Sequence, residues 1–222
     1  MNANEFIESQ KNNYNAYKLP EITPFHYVYD FLIYLFHNFP HKEANKEIHK
    51  IAREFKLKNK KILDIGFYTG YKSFYLFSER NSIIGIDQSE TMYKYAEKRY
   101  RFYDIEFLLG ELTDLLKSNI QNESIDFVHC NVMPLHYDTG VIENSPYFKE
   151  VMSLFMKKIA KKGIIYYTFY TIKSKKVLFP ISEEALIAFL KDNNITNYTL
   201  RINECNKFNN PVIECIISRN DK

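Results

Sequence analysis

The chain has 222 residues, enough for one well-buried domain and a small appendage but not for two full domains. Hydrophobic residues make up 45% and charged residues 26%, an ordinary globular balance. The formal net charge of +3 is too small to imply a nucleic-acid partner, and the clusters Lys157-Lys158 and Lys161-Lys162 read as solvated helix ends.

The N-terminus is polar and Asn-rich, without the cationic start and apolar run of a signal peptide. The run FHYVYDFLIYLFHNF is interrupted by Asp30 and is too short to span a bilayer. Residues 1–58 carry helical, aromatic patterning and no strand, and are expected to form a helical cap or lid. From residue 59 to 222, short β-branched runs alternate with amphipathic segments. KILDIG precedes helical YKSFYLFSER, SIIGID precedes SETMYKYAEKRYRF, and IEFLLGEL precedes a short polar helix. SIDFVHCNV, the long helix NSPYFKEVMSLFMKKIAKK and the strand GIIYYTFY follow. Such alternation predicts parallel strands joined by crossover helices. Ser89 and Ser182, each followed by acidic residues, are predicted N-caps.

The rhythm then breaks. After helix SEEALIAFLKDNN, the runs YTLRINEC and PVIECIISR are separated only by NKFNN, which cannot hold a crossover helix, so they must pair as an antiparallel hairpin. Cys205 and Cys215 fall on adjacent hairpin strands but out of register. With Cys130 they are expected as reduced thiols of a cytoplasmic protein, giving neither disulfide nor metal framework. His37 and His41 have i,i+4 spacing, but Pro40 disrupts an ordinary helix there, so no metal site is expected.

In an open parallel sheet, ligands bind beyond the carboxyl ends of the strands. The first strand ends at Asp64-Ile65-Gly66, and its loop opens a helix after Gly70. Gly66 permits a sharp turn; Gly70 permits close helix packing and leaves backbone N–H groups for a ligand. Asp87 ends the second strand about twenty residues after that loop, a spacing that suits a carboxylate accepting both hydroxyls of a ribose. The third strand ends near Glu111, where a carboxylate could reach an adenine amino group.

Together these segments resemble the class I S-adenosylmethionine (SAM)-dependent methyltransferases. ILDIGFYTG matches the first motif, IIGIDQSETMYKYAEKR the second, FLLGEL the third and SIDFVHCNV the fourth. KKIAKKGIIYYTFY resembles the helix and strand that follow. The resemblance implies a Rossmann-like α/β fold: a seven-stranded, mostly parallel sheet with a C-terminal antiparallel hairpin and helices on both faces. It implies SAM as cofactor, with Asp64, Gly66 and Gly70 bordering its methionine part. Asp87, with Gln88 beside it, would hold the ribose. Glu111 and Leu112 would flank the adenine, and Asn131, just past the fourth strand, would sit beside the sulfonium. Two departures stand out: Tyr68 replaces a second glycine, and Lys161-Lys162-Gly163 replaces a Pro-Gly-Gly-like turn. The Tyr68 side chain must swing away or form part of the site wall.

The expected function is methyl transfer to a small-molecule acceptor, with His136 as the main candidate base and Phe25, Tyr27, Tyr29 and Tyr170 as lid and substrate contacts. NVMPLHY lacks the signature of adenine and amide methylases, which argues against nucleic acid. A second reading keeps SAM but cyclises its aminobutyrate chain to azetidine-2-carboxylate, releasing methylthioadenosine. Tyr68, Asn131 and the fifth-strand tyrosines Tyr166, Tyr167 and Tyr170 would then build a cation-stabilising wall. Those rings have a plainer use, packing between sheet and helices. A third reading is a scaffold that kept the fold and lost catalysis, with Tyr68 filling the methionine space.

Overall fold

β1 (Lys61–Ile65) and β2 (Ser82–Asp87) pair in parallel, Leu63 opposite Ile84, and residues 62–65 and 83–86 are buried without alternation, the pattern of strands covered on both faces. The computed structural model describes residues 41–68, 70–77, 80–131, 145–170, 182–192, 198–207 and 210–219. The lid candidates Phe25, Tyr27 and Tyr29, the candidate base His136 and most of the expected cap lie outside the described residues.

The chain divides into two compact units, one ending at Glu111 and the other beginning at Leu112. In the first, α1 (His41–Glu54) precedes β1, α2 (Tyr71–Phe77) joins β1 to β2, and α3 (Glu90–Tyr100) joins β2 to β3 (Ile105–Leu109). Its strands lie in the order β3-β2-β1, all parallel. Ser89 caps α3 as predicted, its hydroxyl accepting from the Met92 N–H at 3.3 Å. Phe67, Met92, Ala96 and Tyr100 form a core cluster with Phe74 and Phe107 against it. Asn81, buried just before β2, accepts from the Lys60 N–H and donates to the Leu57 and Leu76 carbonyls, tying together the entrances to β1 and β2.

In the second unit, α4 (Leu112–Ser118) leads to β4 (Ile125–Asn131), α5 (Pro146–Lys158) to β5 (Ile159–Tyr170), and α6 (Glu183–Asp192) to the hairpin β6 (Tyr198–Lys207) and β7 (Asn210–Arg219). Here the order is β4-β5-β7-β6, with β4 and β5 parallel and the last two strands antiparallel to their neighbours. Ser182 caps α6 through the Ala185 N–H, as predicted. Cys205 faces Val212 while Cys215 faces Ile202, so the two cysteines are out of register as expected. Burial pushes the Cys215 thiol up to about 12. Among the described residues no helix is long and apolar enough to cross a membrane.

Three expectations need correction here. The long helix, expected to run to Lys162, ends at Lys158; Ile159 is already extended. Ile125 faces Ile159 but Phe127 faces Ile164, so the four residues Ala160 to Gly163 stand opposite Asp126 alone. Lys162 takes a left-handed φ of 62°, and a Cβ on Gly163 would lie 2.8 Å from the Ala160 carbonyl, so this closed turn requires glycine. Second, Lys158 is no solvated helix end. It is buried, and its ammonium donates to the Ile120 carbonyl at 2.6 Å and Asn122 Oδ1 at 2.8 Å, while desolvation lowers its pKa. Third, Tyr167, a candidate for the reacting centre, is fully buried with Phe148 and Phe169 as ring neighbours. Strand alternation turns it toward α5, whose Phe148 packs on it.

Candidate cofactor site

The loop after β1 answers the question that Tyr68 poses. Gly66 turns with φ of 67° and its N–H still completes the ladder to the Ile86 carbonyl. Phe67 then folds inward onto Phe107, centroids 4.7 Å apart, and occupies the space over Gly85, where an added Cβ would meet the Phe67 ring at 2.8 Å. Tyr68 follows with φ of 55°, the left-handed conformation that the usual glycine adopts freely, and its residue stays 49% exposed. The side chain has swung outward.

Gly70 combines φ of 74° with tight packing: its Cβ would lie 2.9 Å from Tyr100 and 3.1 Å from Ala96. Close helix packing is therefore its role. The sequence reading left backbone N–H groups here for a ligand, but the Gly70 N–H is committed to the Phe67 carbonyl at 2.9 Å.

Asp87 gathers the loops at the carboxyl ends of the three strands. Its Oδ2 accepts from the Tyr68 N–H at 3.0 Å, and its Oδ1 from the Ser89 N–H at 2.9 Å. Its own carbonyl accepts from the Gly110 N–H at 3.1 Å, immediately before Glu111. Desolvation raises the Asp87 pKa above 3.8; the amides of Ser89, Tyr68 and Gln88 oppose that shift, and the charge of Asp64 adds to it. Each carboxylate oxygen keeps lone-pair capacity beyond these amide bonds, which fits a group presenting two hydroxyls. Asp87 is thus not the cap of α3, a role that Ser89 fills.

Asp64 is buried and accepts from the Ser73 hydroxyl at 2.5 Å, which fixes the carboxylate against α2. Gln88 is exposed, while Glu111 is partly buried between β3 and α4. Leu112, the first residue of α4, is buried. Asn131 is the last residue of β4 rather than one just past it, and its Oδ1 accepts from the buried Thr168 hydroxyl at 2.7 Å. Tyr170 ends β5. Tyr166 is buried, donates to Glu214 at 2.7 Å and stacks on His129.

Sequence reasoning missed Ser73, Thr168 and Glu214. Nothing in the spacing marks Ser73 or Thr168, but Glu214 carries a readable signal, a charge set between Ile213 and Cys215 in a strand otherwise apolar at its centre.

A methyltransferase-domain family model matches residues 56–216. No curated protein matches the chain. Among solved structures, it is similar to a SAM-dependent methyltransferase from Aquifex aeolicus, at 18% identity and a TM-score of 0.60 over 78% of this chain and 89% of that one. An S-adenosylmethionine-dependent methyltransferase from Clostridium acetobutylicum ATCC 824 superposes with a TM-score of 0.63 at 13% identity, over 90% and 100% of the two chains. The [4+2]-cyclase SpnF gives 0.63 at 11% identity, over 81% and 82%. With its Rossmann-like sheet and C-terminal antiparallel pair, the chain belongs to the methyltransferase-domain family of the class I SAM-dependent superfamily.

Proposed function

We propose that the protein transfers the methyl group of SAM to a small-molecule acceptor. The observation that carries this reading is the convergence on Asp87, whose partly buried carboxylate ties the β1 loop and retains capacity for a ribose diol. In this reading Asp64, Gly66, Tyr68 and Gly70 border the methionine part, with Gln88 beside the ribose and Glu111 and Leu112 at the adenine. Asn131, its amide oriented by Thr168, lies on the acceptor side. Residues 1–58 act as a lid, with Phe25, Tyr27, Tyr29 and Tyr170 against the acceptor and His136 available as a base.

SAM supplies a methyl group already activated on a sulfonium. The chain's contribution is then to hold the acceptor nucleophile in line with it and to exclude water. A base is needed only where the acceptor must lose a proton. The fold alone does not select the reaction, since a cyclase shares it. Full burial of Tyr167 removes one ring from the wall that intramolecular cyclisation would use.

The test is calorimetric titration with SAM, followed by mass spectrometry of products with and without acceptors. Wild type should bind SAM, Asp87→Ala should bind it roughly tenfold or more weakly, and S-adenosylhomocysteine should appear only with an acceptor. Methylthioadenosine and a cyclic amino acid formed from SAM alone would replace methyl transfer by cyclisation. No SAM binding would leave a scaffold.

A further inference from the structure

One face of the β4-β5-β7 ladder carries a patch of polar side chains. Pairing sets Asn131 opposite Thr168, and Thr168 opposite Glu214; one step back along β4, His129 faces Tyr166. Directly opposed residues share a face, so Asn131, Thr168 and Glu214 form a row across three strands, with His129 and Tyr166 beside it. The row lies near the carboxyl ends of β4 and β5, the end at which open α/β sheets bind ligands.

Glu214 is the anomaly in this row. It is only 8% exposed and stands between buried Cys215 and the Tyr166 hydroxyl, which donates to its Oε1 at 2.7 Å. An ionised carboxylate has about four acceptor positions, and among the described residues no lysine, arginine or histidine forms an ion pair with it. Burying a carboxylate without a cation or several donors is costly. If Glu214 served only to staple β5 to β7 through Tyr166, a neutral acceptor would do the same work without that cost.

We infer that Glu214 is the recognition group for a cationic nitrogen on the acceptor, which places the substrate among small amines. The inference rests on the methyltransferase reading and deepens it. Glu214 holds the ammonium as a handle and takes no part in bond making, while Asn131, fixed by Thr168, offers the adjoining polar contact.

The test uses the full-length chain and matched probes: benzylamine against benzyl alcohol, and ethanolamine against ethylene glycol, titrated calorimetrically at neutral pH. In the wild type each ammonium should bind roughly tenfold or more tightly than its hydroxyl counterpart. Glu214→Gln should erase that preference with little change in Tm, because its amide oxygen still accepts from Tyr166. Tyr166→Phe should keep the preference, since the Glu214 carboxyl group remains. Equal binding of amines and alcohols by the wild type overturns the inference, whatever the variants do. So does a preference that survives in Glu214→Gln. A separate SAM titration distinguishes the two readings: absent SAM binding with an intact amine preference removes the methyltransferase function and leaves Glu214, and the reverse removes Glu214 alone.

Discussion

At Tyr68 the backbone holds φ of 55° although the residue carries a ring, and its N–H is committed to Asp87. A left-handed conformation costs an ordinary L-residue about 1–2 kcal/mol, part of which glycine returns as unfolded-state entropy. Tyr68→Gly should therefore leave stability unchanged or raise it by about 1 kcal/mol in urea denaturation. A clear loss would show that the outward ring supports the fold. Its neighbour behaves in the opposite way. Phe67 is buried against Phe107 and over Gly85, so Phe67→Ala should cost about 3 kcal/mol or more by the same measurement. A loss under about 1 kcal/mol would contradict its place in the core. The two adjacent aromatics thus divide the labour, one filling the core beneath the loop and the other leaving the loop's shape intact.

Elements show where the sequence is readable and where it is not. The strands β1, β2 and β4 were legible because buried parallel strands are continuous apolar runs, and the caps Ser89 and Ser182 because their chemistry is local. The end of α5 was illegible. MKKIAKK has helical composition, and what stops the helix is Lys158 reaching a carbonyl 38 residues away and the register that β4 imposes on Ile159. Asp64 with Ser73 and Asn131 with Thr168 were hidden for the same reason: each bond joins residues that only the fold brings together. Lys158→Met should accordingly cost about 1–3 kcal/mol, because the Ile120 carbonyl loses its donor. Lys157→Met, at an exposed position in the same turn, should change stability by less than about 0.5 kcal/mol. Equal effects of the two substitutions, read by chemical denaturation, would remove the distinction between them.

For the molecule as a whole, the hairpin was forced by its short link, but its order was not: the last strand, β7, pairs with β5 and leaves β6 at the edge. That order is what brings Glu214 beside Thr168, so a feature invisible in the sequence decides the chemistry of the proposed acceptor side. The cofactor side carries a global consequence in pH. Asp87 titrates above its ordinary 3.8 in the folded chain, chiefly through desolvation. The folded state then binds that proton more tightly than the unfolded state, so the group's contribution to stability is largest in acid and declines as pH rises from 3.8 through the raised pKa. Ribose hydroxyls donate to the ionised carboxylate, so SAM binding must expel the same proton within that window. SAM affinity should therefore rise with pH through the window and level off above it, approaching a tenfold change per pH unit at the acid end. Calorimetry from about pH 4 to pH 7 reads this directly. In Asp87→Asn the dependence should flatten while affinity stays low throughout. A wild-type slope that persists in that variant would assign the proton to another group and take from Asp87 the role that the loop geometry gives it.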